Sequence, residues 1–468
     1  MEYTNEIYIK ELILSDYKCF KGNHSFSFVR LNEGKNSFRV CQWTVFLGNN
    51  GTGKTNLLRC IANMQPQLVD VTNDASRNQD IPNFLMKLHV TYENESAPDT
   101  NDISPLQYQP KVVDRYNGDQ YSVNAHFVRG IAHSKSVREG KTCHDLFKHL
   151  GGPFSQQTKI GYGKTANYVD DDAALQHVKI FGYGIGRRVE KSGLNAVQTD
   201  AVASLFSENV TLMDLEDWLL QLKLAASVGK QKEKAKKRLE LLEQVFSTSG
   251  ILPGLKGFEL KTDVDSLNSH IEFRNEEGTF RLKELGSGYQ CMLSWLFDFC
   301  KRMFDLYPNS INPLHEAAIV LIDEIDLHLH PKWQRTLLKD LSAFFPNVQF
   351  IVSTHSPLIV QSLSDINLFV MRPNQEGGIM VERFSDYKWE GWNMEDILRE
   401  VMDIEGAMTS ETLQKEIVKF NKAFERLHLQ EAEAIFNRLS KALNANSGLY
   451  ARLNRQMNEL KHFLHEKD

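Results

Sequence analysis

Residues 44–55 constrain the fold of this 468-residue chain more than any other stretch. A short apolar run, TVFLG at 44–48, leads into Gly48-Asn49-Asn50-Gly51-Thr52-Gly53-Lys54-Thr55, and Asn56 to Met64 then has helical character. The eight residues satisfy G-x-x-x-x-G-K-[ST] at every required position, and strand, glycine-rich turn and helix in that order is the context that gives the match meaning. The glycines let successive backbone N–H groups turn inward around a phosphate, and the helix N-terminus adds a favourable field. Lys54 can reach the β- and γ-phosphates of a nucleoside triphosphate as a point charge, and the Thr55 hydroxyl is placed to ligate Mg²⁺. All eight residues are expected to contact the nucleotide.

The second half of the chain supplies matching carboxylates. AAIVLIDE at 317–324 is its most apolar strand and ends in Asp323-Glu324. A carboxylate at the C-terminal tip of such a strand can sit beside a phosphate loop, so Asp323 is expected to hold Mg²⁺ through water. Glu324, one residue on, can polarise an attacking water. The strand QFIVST at 349–354 runs into His355, two strand ends from the phosphate loop, where an imidazole can donate to a γ-phosphate and sense it. With VKIFGYG at 178–184 as a further strand and helices between, the pattern is a parallel α/β sheet.

Other signals weigh less. Gly161-Tyr162-Gly163-Lys164-Thr165 ends like the phosphate loop, but Thr158 occupies the leading glycine position and no apolar strand precedes it. Gly182-Tyr183-Gly184-Ile185-Gly186 lacks the spacing of a dinucleotide site. His328 and His330 with Asp326 form no complete ligand set, and a subunit interface just past the carboxylates suits them better than a catalytic metal. Six cysteines with no CxxC pair argue for a reduced, cytoplasmic chain, and the N-terminus has no apolar signal core. A net charge of −6 excludes a uniformly basic nucleic-acid binder, although Lys230, Lys232, Lys234, Lys236, Lys237 and Arg238 form a local basic run. That run reads either as a solvated helix face or as a nucleic-acid contact. Segments 94–120 and 129–170 read as polar and loop-rich, and Met86 to Tyr92 as a half-buried strand. Leu413, Ile417, Phe420, Phe424 and Leu427, then Leu449, Leu453, Met457, Leu460 and Leu464, repeat at helical spacing across Asn446-Ser447-Gly448. This apolar seam could pack on the body of the protein or meet a partner.

Leu285-Gly286-Ser287-Gly288-Tyr289-Gln290, followed by a helix, resembles the LSGGQ-type signature of ABC ATPases. Taken with the phosphate loop, DEIDLHLHPKWQ, STHSP and the opening LILSDYKCF, the set resembles the SMC/RecF/OLD branch of that family. FGYGIGRR, SLFSENVTLMDLEDWLLQL and EDILREVM resemble the PtuA family, the ATPase subunits of Septu anti-phage systems, and retron-associated ATPases. The likeness spans roughly 7–62, 176–222 and 280–372. It implies an α/β fold: an ABC-type P-loop ATPase head with a helical lobe and a C-terminal helical hairpin or bundle. The nucleotide-binding lobe is expected at 1–195 and 315–385 with an insertion at about 65–175, the helical and signature lobe at 196–314, and the C-terminal helical region at 386–468.

The resemblance further implies ATP and Mg²⁺ as cofactors and a homodimer in which Ser287 and Gly288 of one subunit close over ATP held by the other. Hydrolysis would gate a partner nuclease of the HNH type, and nucleic acid would be met through that partner. A RecF-like repair ATPase acting on DNA directly, or an ATP-locked scaffold with negligible turnover, are the competing expectations. The second signature position, serine in the family, is Gly286 here, so the hydroxyl facing the opposite γ-phosphate must come from Ser287 or be missing, which bears on hydrolysis more than on ATP binding. The SALD wording expected after Glu324 is absent, as are a long heptad arm, a CxxC hook and TOPRIM-like acids, so any nuclease should be another polypeptide. Arg187 and Arg188 could be surface residues paired with acids, or phosphate-sensing groups. Gln176 is a weaker candidate for that sensing role, and Lys18 and Phe20 resemble a segment that approaches the nucleotide.

Overall fold

The apolar runs at 44–48, 178–184, 317–324 and 349–354 become neighbouring strands of one sheet. In the computed structural model they span Trp43–Gly48, Ile180–Tyr183, Ala318–Ile322 and Val348–Thr354, joined by Asn367–Pro373 and Ile379–Phe384. The structure describes residues 3–31, 38–62, 68–70, 84–86, 111–113, 120–131, 139–142, 179–187, 201–228, 230–247, 251–263, 269–375, 377–384, 389–403, 410–443 and 447–465. Across the sheet the order is 180–183, 318–322, 348–354, 43–48, 367–373, 379–384, with the first five strands parallel and the last antiparallel. Every residue of the three strands 43–48, 318–322 and 348–354 is buried. Strands covered on both faces are largely apolar, which is why these read as near-continuous runs instead of alternating ones, with Thr44, Gln349, Ser353 and Thr354 as buried polar exceptions.

This order corrects one expectation. The strand ending at His355 lies directly beside the phosphate-loop strand, and the Asp323 strand is one place farther out.

A second, antiparallel sheet lies in the same unit. Its order is 20–27, 3–17, 120–131, 139–142, 38–40, 29–31, with 111–113 also paired to 120–131. Gln120–Ile131 pairs along Ile7 to Leu14 of the first strand. The region expected to be a loop-rich insertion therefore lends strands to the N-terminal sheet. Residues 121–128 fall between the two segments read as loop-rich, and Tyr121, Val123, Ala125 and Phe127 alternate there with polar neighbours, a strand signal that reading passed over. The expected strand at 86–92 is described only at Phe84–Met86, paired with Leu68–Asp70, and 87–92 lies outside the described residues.

Two fully buried amides stitch the sheets together. Gln349 accepts from Ile9 N and donates to Ile9 O, both at 2.9 Å, imitating a strand neighbour. Asn367 Nδ2 donates to Ser27 O at 2.9 Å and to Thr44 Oγ1 at 3.1 Å, while its own oxygen accepts from Arg383 Nε at 2.8 Å. Buried polar groups satisfied in this way specify register as well as stability. Trp43 stacks on Phe350 at 4.2 Å and donates to Ser342 Oγ at 2.7 Å, so its ring is both packed and satisfied.

The lobe expected to be helical at 196–314 contains the helices Ala203–Phe206, Leu215–Ser227 and Lys232–Ser247. Asp214 caps the second by accepting from Asp217 N at 3.1 Å. Ahead of the 20-residue helix Ser287–Leu306 comes a three-stranded antiparallel sheet, Gly257–Thr262, Ser269–Arg274 and Thr279–Phe280, within the lobe expected to be helical.

Residues 1–392 form one unit and 393–468 another. In the second, three helices, Glu411–Glu425, Leu429–Ala442 and Gly448–His465, enclose their own core of Phe420, Ile435, Leu439, Leu453, Met457 and Leu460. The apolar seam is thus consumed within the bundle, because the unanticipated middle helix covers it; Leu427 alone of the named seam residues is largely exposed. Among the described residues no helix is long and apolar enough to cross a membrane.

Candidate functional site

Three adjacent strand ends meet the N-terminus of the helix Lys54–Ala62. The loop between strand and helix is tight. Gly53 has φ +86°, and a Cβ there would lie 2.5 Å from Cys19 Sγ and 3.2 Å from the Phe20 ring, so only glycine fits. Phe20 is therefore buried behind the loop and not free to approach a nucleotide, while Lys18 lies over the Tyr17 ring at 5.8 Å. Thr52 is buried, with its hydroxyl donating to Asn49 O at 2.8 Å, whereas Asn49, Asn50 and Gly51 are exposed at the rim.

Lys54 is buried, and its ammonium donates to Gly48 O at 2.8 Å and Asn49 O at 2.9 Å. Burial holds it below the usual lysine range, opposed by the charges of Asp323, Glu324 and Asp326. Beside it the Thr55 hydroxyl donates to Asp323 Oδ2 at 2.7 Å. The other Asp323 oxygen accepts from Ser353 Oγ at 2.5 Å, and Ser353 Oγ accepts from Glu324 N at 2.8 Å. Asp323 is buried, so these two hydroxyls orient its carboxylate with little freedom left. A hydroxyl and a carboxylate converging from two elements make an oxygen donor pair of the kind Mg²⁺ prefers, and Thr55 and Asp323 fit that ion.

Glu324 stands just past the strand end at φ +47°, an uncommon conformation for a residue with a side chain. Its Oε1 lies 3.9 Å from His355 Nε2, too long for a direct hydrogen bond. Burial first, then the Lys54 charge, push the His355 imidazole below its usual range, with Glu324, Asp326 and Asp323 opposing. The flanking turn is pinned by Thr354, which donates to Asp326 Oδ1 at 2.5 Å and accepts from Ser356 N at 2.9 Å. The structure thus brings Lys54, Thr55, Asp323, Glu324 and His355 into one cluster.

The turn at Gly286 to Gln290 starts the helix Ser287–Leu306, with Gly286 and Ser287 exposed. Within the chain it packs on the segment after Glu324. A Cβ on Gly288 would lie 2.6 Å from His328 O, and the Tyr289 ring sits 5.1 Å from Trp333. Gln290 Nε2 folds back to Leu285 O at 2.6 Å. His328 and His330 are exposed, His330 accepting from Lys332 N at 3.3 Å to cap the helix Pro331–Phe344. Lys230, Lys232, Lys234, Lys236 and Lys237 are exposed, and Arg238 reaches Phe304 O at 2.7 Å.

Sequence reasoning gave one residue no role and another different surroundings from those found. Ser353 was visible in STHSP but carried no assigned role. Its position follows from register, since Val352 pairs with Ile322 and places the next residue against Asp323. Arg187 departs from both readings offered for it. It is 5% exposed, and its guanidinium reaches backbone oxygens: Nε donates to Gly184 O at 2.9 Å, and Nη2 to Asp323 O and to Glu324 O, the latter at 2.9 Å. Nη1 approaches Cys291 Sγ at 3.6 Å. Arg188, Gln176 and the 161–165 turn lie outside the described residues.

Parts of the chain are similar to known proteins. Residues 201–361 match the family described as "AAA domain, putative AbiEii toxin, Type IV TA system". The chain is 43% identical over 93 residues to the Retron Ec83 probable ATPase of Escherichia coli, a match covering 20% of this chain and 17% of that protein. It is 28% identical over 225 residues to the Septu protein PtuA of Bacillus mycoides, covering 47% of this chain and 28% of that one. The matched stretches thus span well under two thirds of these relatives. A crystal structure of an SMC head bound to the C-winged helix domain of ScpA covers 81% of this chain and 98% of its own, with 15% identity and a TM-score of 0.38.

Proposed function

We propose that this chain binds and hydrolyses ATP, completes each active site with a second copy of itself, and uses the cycle to control a separate nuclease in anti-phage defence. The convergence of Lys54, Thr55, Asp323, Glu324 and His355 at neighbouring strand ends carries the reading. The phosphate loop would hold the triphosphate, with Lys54 leaving its two carbonyl acceptors for the β- and γ-phosphates. Mg²⁺, held by Thr55 and Asp323, would supply neutralising charge at those oxygens. Glu324 would take a proton from water as its oxygen bonds to the γ-phosphorus, while the bond to the bridging oxygen breaks and ADP leaves. Neutral His355 would donate to the γ-phosphate.

The exposed Gly286 and Ser287 support a signature offered to a second subunit, which makes a C₂ dimer the simplest closed assembly. Defence, and control of an HNH-type nuclease, rest on the likeness to PtuA and the retron ATPase. Gly286, where the family signature has serine, favours a second reading in which ATP locks an assembly scaffold and turnover is negligible.

The test is to incubate the pure chain with ATP, Mg²⁺, plasmid and tRNA, with and without a nuclease encoded beside it. Phosphate release by the chain, with cutting only when the nuclease is added, is the expected result. Cutting that copurifies with the chain and survives Glu324→Gln contradicts the division of labour, and absent phosphate release favours the scaffold.

A further inference from the structure

Arg187 is a buried cation, and among the described residues it makes no ion pair with a carboxylate. Burying a guanidinium is costly unless its donors are met, and here they are met largely by backbone carbonyls. Two of those carbonyls belong to Asp323 and Glu324, the peptides on either side of the Glu324 Cα. The remaining backbone group of that residue, its N–H, is held by Ser353 Oγ at 2.8 Å. Backbone bonds also hold the second peptide, from Leu327 N to Glu324 O and from Ile325 N to Ser353 O, both at 3.0 Å, so Arg187 is the side chain that grips both peptide planes setting φ and ψ at Glu324, where the backbone stands at φ +47°. Left-handed backbone at a residue with a side chain persists only where its surroundings over-determine it.

We propose that Arg187 is a positioning residue for Glu324: it holds the turn that aims the carboxylate at the attacking water. The inference rests on the reading of Glu324 as the group that activates that water. Lysine could not replace it, because a point ammonium cannot span the carbonyls of Gly184, Asp323 and Glu324 together. The same guanidinium touches Cys291 in the first turns of the helix Ser287–Leu306, and Tyr183 OH, four residues upstream, donates to Asp298 of that helix at 2.9 Å. The segment 183–187 thus links the helix behind the signature turn to the carboxylate turn.

The experiment is a double-mutant cycle on the full chain, reading ATP affinity and single-turnover hydrolysis for Arg187→Gln, Arg187→Lys, Glu324→Gln and the combinations. Arg187→Gln should slow hydrolysis on the order of 100-fold, the scale of an ångström-level misplacement, with ATP affinity nearly unchanged. Arg187→Lys should fail to rescue. In the Glu324→Gln background either change should cost no more than about twofold, because its target is already gone. A residue that merely supports the fold would lower ATP affinity or multiply with Glu324→Gln, and either result overturns the proposal, as does unaltered turnover. If Arg187→Gln does not fold, Arg187→Lys takes the same measurements; if neither folds, Arg187 holds the body of the protein and the proposal fails. A parent chain that hydrolyses no ATP would instead sink the underlying reading of Glu324.

Discussion

Thr55 and Asp323 are joined by a 2.7 Å hydrogen bond from the threonine hydroxyl to Oδ2. The bond ties the helix after the phosphate loop to a strand two places away in the sheet. Thr55→Val keeps the shape and removes the hydroxyl. It should weaken Mg²⁺-dependent ATP binding roughly tenfold or more, while binding in EDTA changes little. Titration of a fluorescent ATP analogue with and without Mg²⁺ measures both. Equal Mg²⁺ dependence in parent and variant would place the cation elsewhere.

Glu324 has its amide held by Ser353 and its carboxylate 3.9 Å from His355. Glu324→Gln preserves size and should preserve ATP binding. Hydrolysis should slow roughly 100-fold or more, equivalent to about 3 kcal/mol of lost transition-state assistance. The ATP-bound dimer should accumulate, visible by light scattering. Parental turnover in this variant would remove Glu324 from the base role.

The imidazole of His355 is pushed below the usual histidine range, first by burial and then by the Lys54 charge. The folded protein therefore keeps it neutral at neutral pH, and protonation sets in only below about pH 6.5, the ordinary histidine value. kcat/KM reports the free protein, so its acid limb from this group should fall below that pH. Bound γ-phosphate favours the cation, so the matching limb in kcat should lie higher. His355→Gln should abolish both limbs in the residual rate. A pH profile identical in parent and variant would separate His355 from the reaction.

Ser287 is exposed, while Gly288 faces His328 O with no room for a Cβ. A composite site is therefore best probed at Ser287, since a Gly288 variant would strain its own chain. Lys54→Ala should abolish ATP binding, and Ser287→Arg should block closure on a partner's nucleotide. Each should be inactive alone. Mixed under conditions of subunit exchange, they should regain ATPase activity, because one site in each mixed dimer pairs an intact loop with an intact signature turn. No recovery in exchanged dimers would show that the sites are not shared.

Much of the central sheet was legible in the sequence because its strands are short, apolar and buried on both faces, a pattern few other structures produce. The phosphate loop was legible for a local reason: a glycine-rich turn between strand and helix confines its chemistry to eight consecutive residues. Asp323 and His355 stood out because each directly follows such a strand, and Glu324 because it comes next after Asp323. The tertiary structure alone decided what depends on register and on distant neighbours. It put the His355 strand beside the phosphate loop, since pairing order leaves no trace in local composition. It drew residues 120–131 and 139–142 into the N-terminal sheet through backbone hydrogen bonds, and closed the C-terminal seam with a middle helix. It also turned Arg187 inward to the carbonyls of Asp323 and Glu324. Backbone acceptors are the same in every sequence, so only the fold could show which ones that arginine would find.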